Sequence, residues 1–356
     1  MLATPKISIR AGWRAFELLS NRPLSSDLVA GVAAAAGGPK WFTTYGLVRY
    51  IIDDLLDDDQ SRFYIGSSVG SWQMAAACTA DPGAALDRLK CAYAGHIFSV
   101  DPDAHDISNA SVEIIRQMIA DQSDHILNNM SKHLYVTTSR GRGLCNTEQR
   151  YKLVPGLALA AISHSLRRTW LQGSMRRELF TNGSVIPYNT QKDDLKTVLR
   201  TLTADNLLDV MRASGAIPLM MEGVSIAGAG DGIYWDGGIV DYHMAFPYDR
   251  KDGKIVLLPH FMHDVLAGWF DKHLPMARGA KKEFMADVVV IYPSDEYVKS
   301  LPRQQISTMG DFDYYGDDEQ ARIAYWNEIS RRSFDLGAEL KERVESDTLG
   351  EIMKPY

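Results

Sequence analysis

Residues Phe63 to Trp72 read FYIGSSVGSW. Three apolar residues run into Gly66-Ser67-Ser68-Val69-Gly70, and the small-residue stretch SWQMAAA (Ser71–Ala77) follows. The pattern predicts a buried strand over Phe63–Ser67, a tight turn, and a helix over Val69–Thr79. A Gly-x-Ser-x-Gly turn between strand and helix exposes the serine hydroxyl above a sheet, because the flanking glycines remove the Cβ atoms that would clash. The competing reading is a turn in which Ser67 or Ser68 only caps the helix.

Working outward, Leu28–Ala36 (LVAGVAAAA) is a second uncharged apolar run, and it enters Gly37-Gly38-Pro39-Lys40. A helix carrying Leu47, Ile51 and Leu55 on one face is expected next. Repeated strand–turn–helix units argue for a mainly parallel sheet covered by helices on both faces. His133–Gly141 alternates like a strand, KIVLLP and DVVVIYP read as buried strands, and Asn182–Tyr188 reads as a turn and strand. Gly223–Tyr242 reads as a hairpin whose second strand, Ile233–Trp235, delivers Asp236 into a glycine turn. Leu157–Phe180, Asn206–Ser214 and Ala321–Glu345 have helical patterns. Leu159, Ile162, Leu166 and Trp170 share one face of the first of these. No repeat or linker divides the chain. The expectation is one domain over 1–356, with a catalytic core over 25–245 and C-terminal strands and helices (246–356) packed on it.

The chain has 356 residues, 46% apolar and 23% charged, with a formal charge of −7. That length supports a large α/β domain with a real core. The acidic balance argues against a nucleic-acid partner, though a local basic patch can still face an anionic lipid surface. Cys78, Cys91 and Cys145 are dispersed, so reduced thiols in a cytoplasmic protein are expected, with no metal and no cofactor. The N-terminus lacks the pattern of a secretory signal, and no run reaches the roughly 18 apolar residues of a membrane span. Peripheral membrane contact remains open.

A serine hydroxyl needs a base to take its proton and donors to meet the oxyanion. The Gly37-Gly38-Pro39-Lys40 turn opens a helix, so its amides and the positive helix terminus suit an anion, and Lys40 adds charge. The GxxxxGK[ST] spacing of a P-loop is absent. Among nine histidines, His243, His260 and His263 lie where a triad base would sit, after strands late in the chain. Trp235-Asp236-Gly237-Gly238 is more distinctive: an aspartate at a strand end, followed by a turn that projects it into a cleft. Asp231 is a lesser candidate that suits a hairpin turn.

Taken together, the Gly-Gly-x-Lys turn, the Gly-x-Ser-x-Gly elbow about 30 residues later, and the distant Asp-Gly-Gly resemble the patatin-like phospholipase family. ASGAIPLMMEGVSI…YWDGGIVD (Ala213–Asp241) is similar to that family's lead-in to its aspartate. The resemblance spans Val29 to Asp241. It implies a three-layer α/β/α fold and hydrolysis of lipid acyl esters by a Ser–Asp dyad without histidine. It would make Ser68 the nucleophile and Asp236 the base. The amides of Gly37, Gly38 and Val69 would form the oxyanion hole beside Lys40, with Trp41, Gly237 and Gly238 near the substrate. Two positions depart from the family pattern, Ala36 and Trp41 standing where glycines are usual. Trp41 would crowd the cleft or line an acyl pocket.

The implied partner is a lipid or other long acyl ester. Thioesterase or acyltransferase chemistry would use the same dyad. A histidine triad through His260 or His263, or a silent lipid-binding protein, are the alternatives. His260–Leu274 reads as an amphipathic helix, with Phe261, Val265 and Trp269 on one stripe and Met262, Leu266 and Phe270 beside it. Packing on the sheet is favoured over a lipid groove. Arg167, Arg168, Arg176 and Arg177 suggest a basic face opposite the apolar face of Leu157–Phe180. Asp57–Asp59 and Asp311–Glu319 read as solvated loops without calcium-loop spacing.

Overall fold

The computed structural model describes residues 4–98, 101–273 and 279–356. Ten strands build one sheet: β1 (Ile7–Ala11), β2 (Val29–Ala34), β3 (Arg62–Ser67), β4 (Lys132–Gly141), β5 (Met175–Thr181), β6 (Thr197–Thr201), β7 (Tyr234–Asp236), β8 (Ile255–Pro259), β9 (Val288–Pro293) and β10 (Met353–Pro355). Their order is β10-β1-β9-β8-β2-β3-β4-β5-β6, with β7 paired to β4. The five central strands, β9-β8-β2-β3-β4, are mutually parallel, and antiparallel pairs flank them at β1/β9 and β4/β5.

Alternation along the central strands separates two cores. Val32, Tyr64, Val136, Leu257 and Val289 point into the larger one, and Ala33, Ile65, Tyr135, Val256 and Val290 into the other. These strands are buried on both faces, which is why they read as continuous apolar runs. The helices are α1 (Trp13–Asn21), α2 (Tyr45–Tyr50), α3 (Val69–Ala77), α4 (Pro82–Gly95), α5 (Ala104–Ile119), α6 (Ser123–Asn128), α7 (Arg150–Leu166), α8 (Leu207–Gly215), α9 (Asp295–Ser300), α10 (Gly310–Tyr315) and α11 (Glu319–Glu345). Helices α2, α3, α4, α8 and α11 contribute to the larger core. Met244–Tyr248 covers part of the opposite face, and α7 packs there over Met175 and Trp235. The result is a three-layer α/β/α arrangement with a mainly parallel sheet.

Several expectations are corrected. The helix expected across Leu157–Phe180 ends at Leu166, a 3-10 turn follows over Arg168–Gly173, and Met175–Thr181 is a strand. The cause is long-range pairing: β5 zips onto β4 over seven residues. Arg168 and Arg177 are therefore not on an exposed basic face. They are buried, Arg177 donating to both Asp241 oxygens (2.6 and 2.5 Å) and Arg168 to the Val240 carbonyl (2.7 Å). The expected apolar face of the helix, Leu159, Ile162, Leu166 and Trp170, points to solvent.

His260–Leu274 is not a helix in its described part, and Leu274 lies outside the described residues. Its backbone instead pairs with the segment after Asp236, Tyr242 N–H donating to Ala267 and His243 N–H to Leu266, before a short 3-10 turn at Trp269–His273. Asn182–Tyr188 forms no strand, and the place beside β5 is taken by β6. The helix after the Gly37-Gly38 turn starts as a 3-10 segment (Gly38–Thr44) and ends in a π-helical turn (Ile51–Leu55).

Candidate active site

The turn that follows β3 and the one that follows β2 both lie at the carboxyl edge of the parallel strands, where ligand sites of such sheets form. Strand β4 is longer than β3 and extends past it. Ser67, the last residue of β3, pairs with Thr137 of β4, while Asp236, the last residue of β7, pairs with the adjacent Thr138. Because β3 is parallel to β4 and β7 antiparallel, the two strands run toward each other along the same side of β4. They meet end to end at Ser68 and Asp236.

Ser68 has φ 54° and ψ −134°, a left-handed conformation that is costly for a residue with a side chain. It occupies the N-cap position of α3 but makes no side-chain capping bond. Its N–H donates to Ser214 Oγ (3.0 Å), and that hydroxyl donates to the Thr137 carbonyl (2.8 Å). The flanking glycines are required by close approach. A Cβ on Gly66 would lie 2.4 Å from Gly70 backbone, and one on Gly70 would lie 2.3 Å from the Ala34 carbonyl oxygen.

Asp236 is 7% exposed. Its carboxyl accepts from Gly238 N–H at 2.6 Å and lies close enough to the Ser68 hydroxyl for that group to lower its pKa. Burial pushes its pKa from 3.8 up to about 6, against the opposing pull of the Ser68 hydroxyl and the Gly238 N–H. Gly237 is pressed onto β4, since a Cβ there would meet the Thr137 oxygen at 2.1 Å. The chain just beyond is anchored by the Arg177–Asp241 pair and by Arg168, so the turn carrying Asp236 is held from behind.

Gly37, Gly38 and Lys40 are half-buried at the end of β2. Gly38 and its successors begin a 3-10 helix, whose first N–H groups have no acceptor within the helix. Val69 likewise begins α3 directly after Ser68. Lys40 Nζ lies 4.8 Å from the centre of the Phe261 ring. Burial, and secondarily the charge of Lys272, lowers its pKa from 10.5 to about 8. Phe261 closes against Gly37, and Met309 and the Tyr93 hydroxyl against Gly38. Trp41 is buried, stacked on Phe42 and edge-on to Tyr45 and Tyr93.

His243 and His260 are fully buried, with ring centres 4.3 Å apart. Burial lowers both, His260 to about 4. The charges that act on them include Lys40. His260 Nδ1 is occupied by Met262, and His263 is exposed beside Asp264. Asp231 is exposed. No group of three or more His, Cys, Asp or Glu among the described residues is placed to hold a metal.

Sequence reasoning did not single out Ser214, Tyr93, Phe261 or Met309 as neighbours of the site. Ser214 alone had a local signal, lying within the ASGAIP lead-in. The others come from distant segments with no motif.

Residues 32–246 match the family model described as patatin-like phospholipase. The chain belongs to the patatin-like phospholipase family. Patatin-like proteins are lipid acyl hydrolases, so the expected chemistry is attack on an ester bond, and the match contains the turns after β2, β3 and β7. No curated protein matches the chain. Among the described residues of this patatin-like chain, no helix is long and apolar enough to cross a membrane.

Proposed function

We propose that this protein cleaves lipid acyl esters through an acyl-enzyme on Ser68, with Asp236 as its base. The observation that carries the reading is the strained, non-capping Ser68 set where β3 meets β7, beside a buried Asp236 carboxyl whose pKa is raised to about 6. A carboxylate near 4 is a weak base. One near 6 is ionised at neutral pH yet accepts a proton more readily.

In the first step the Ser68 hydroxyl gives its proton to Asp236 as Oγ bonds to the ester carbonyl carbon. The carbonyl oxygen becomes an oxyanion, met by the amides of Gly37, Gly38 and Val69 and by the field of Lys40. Collapse of this intermediate breaks the ester C–O bond, and Asp236 returns the proton to the departing alcohol. Water then gives a proton to Asp236 as it attacks the acyl carbon; the Oγ–acyl bond breaks, Asp236 passes the proton to Ser68 Oγ, and the fatty acid leaves. Gly238 N–H and the Arg177–Asp241 anchor keep the carboxyl aimed throughout.

Turnover of phospholipid and of p-nitrophenyl acyl esters of increasing chain length tests this. The wild type should release fatty acid, and Ser68→Ala should lose at least about a thousandfold in rate. Equal turnover by folded Ser68→Ala would overturn the proposal.

A further inference from the structure

Helix α7 is built inside out. Its inner face is narrow and made of Leu153, Gly156, Ala160 and His164, and it seats on Cys145, Trp235, Ile239 and Val240. The end of the helix is fastened by His164 Nε2 to Asp271 Oδ1 at 2.6 Å. A surface helix normally turns its large apolar residues inward. Here they face out: Leu159 is 53% exposed, Ile162 59%, Leu166 70% and, just beyond the helix, Trp170 53%. Tyr151 and Val154 extend the stripe, and Leu144 adds to it. Of seventeen exposed large apolar side chains among the described residues, seven fall between residues 144 and 170. Singly scattered ones need no explanation, but a contiguous patch on one element does.

Charge selects the occupant. Between residues 142 and 170 the sequence holds five Lys or Arg and one acidic residue, in a chain of net charge −7. Arg142, Arg150, Lys152 and Arg167 are exposed, while the single acid, Glu148, is engaged by Gly223 N–H at 2.8 Å. An apolar stripe ending in an exposed tryptophan and flanked by basic residues suits the boundary between headgroups and acyl chains of an anionic bilayer. The inner face of the same helix packs on residues on both sides of the Asp236 turn, so a docked α7 would hold that turn close to the lipid.

We propose that the outer face of α7, with Trp170, is the surface by which this protein docks on anionic lipid bilayers. The inference rests on the acyl-hydrolase reading for its purpose and on α7 alone for its evidence. It is tested with the full chain carrying Ser68→Ala, so that binding is read without hydrolysis. The measurement is co-sedimentation with vesicles of phosphatidylcholine, with and without about 30% phosphatidylglycerol. Binding should need the anionic lipid and weaken as salt rises. Ile162→Glu/Leu166→Glu should lower the partition coefficient at least about tenfold. Each of Arg150→Glu, Lys152→Glu and Arg167→Glu should lower it about fivefold or more. All these side chains are exposed, so the melting temperature should hold.

In the intact enzyme the same substitutions should slow hydrolysis of vesicle phospholipid but leave the rate of fluorophosphonate labelling at Ser68 unchanged. Undiminished vesicle binding by Ile162→Glu/Leu166→Glu would overturn the proposal. So would absence of binding by the parent chain together with a dimer that these substitutions dissociate, since a second copy would then be the occupant. A wild type that docks but fails to label would instead count against Ser68 as the nucleophile, so the two readings fail separately.

Discussion

Replacing Asp236 by asparagine should cost the chain its chemistry and make it more stable. The carboxyl is 7% exposed, so little solvent screening applies, and its pKa rises from 3.8 to about 6. A carboxyl with a raised folded-state pKa binds its proton more tightly in the folded chain, so its ionisation destabilises the fold. The contribution is most favourable below 3.8, falls as pH rises through the window from 3.8 to 6, and is fully lost above it. The whole change is about 3 kcal/mol, and about 1.4 kcal/mol of it falls between pH 5 and pH 8. Asparagine retains an acceptor for Gly238 N–H and a polar group for Ser68 without the charge. Urea denaturation of wild type and Asp236→Asn at both pH values reads the difference. The advantage of the variant should grow by about 1–2 kcal/mol between pH 5 and 8 and then stay level. A variant that is destabilised equally at both would refute the reasoning, because the carboxyl would then not be a buried charge held against its preference.

Two further outcomes follow from the same geometry. Under the proposed mechanism, with Asp236 as carboxylate and Lys40 as ammonium, kcat/KM should rise with an apparent pKa of about 6 and fall with one of about 8; Lys40→Met should remove the alkaline fall and lower the plateau, and an unchanged profile would sever Lys40 from the oxyanion. Gly70→Ala should destabilise the fold by about 1–3 kcal/mol or more, since its Cβ would sit 2.3 Å from a β2 carbonyl oxygen; an unchanged melting temperature would contradict the close packing of the elbow on β2.

What was legible in the sequence was local. β2, β3, β4, α3, α8 and α11 follow from apolar runs and period, because each is decided by its own residues and by burial on one or both faces. The turns after β2, β3 and β7 announced themselves through glycine. Their meeting depends on β3 and β7 approaching along the same side of β4, a pairing between residues far apart in sequence that no local pattern encodes. The same limit explains β5: MRRELFT sits in a helical-looking stretch, and only its zipper with β4 and the burial of Arg177 against Asp241 make it a strand. The apolar stripe of α7 was visible as a stripe, but periodicity reports that one face differs from the other and not which of them meets the core. Strand β1 and the edge strands β6 and β10 are short and mix polar with apolar residues (ISIRA, TVLRT, MKP), so they do not stand out.

The central claim, that Ser68 is a nucleophile served by Asp236, is tested most directly by covalent labelling with a fluorophosphonate, the modified residue being identified by mass spectrometry. The account predicts label on Ser68 in the wild type and none in Ser68→Ala. It also predicts labelling slowed at least about a hundredfold in Asp236→Asn and retained in His260→Ala. An unlabelled Ser68 in the folded wild type, or label that survives Asp236→Asn and disappears with His260→Ala, would contradict it.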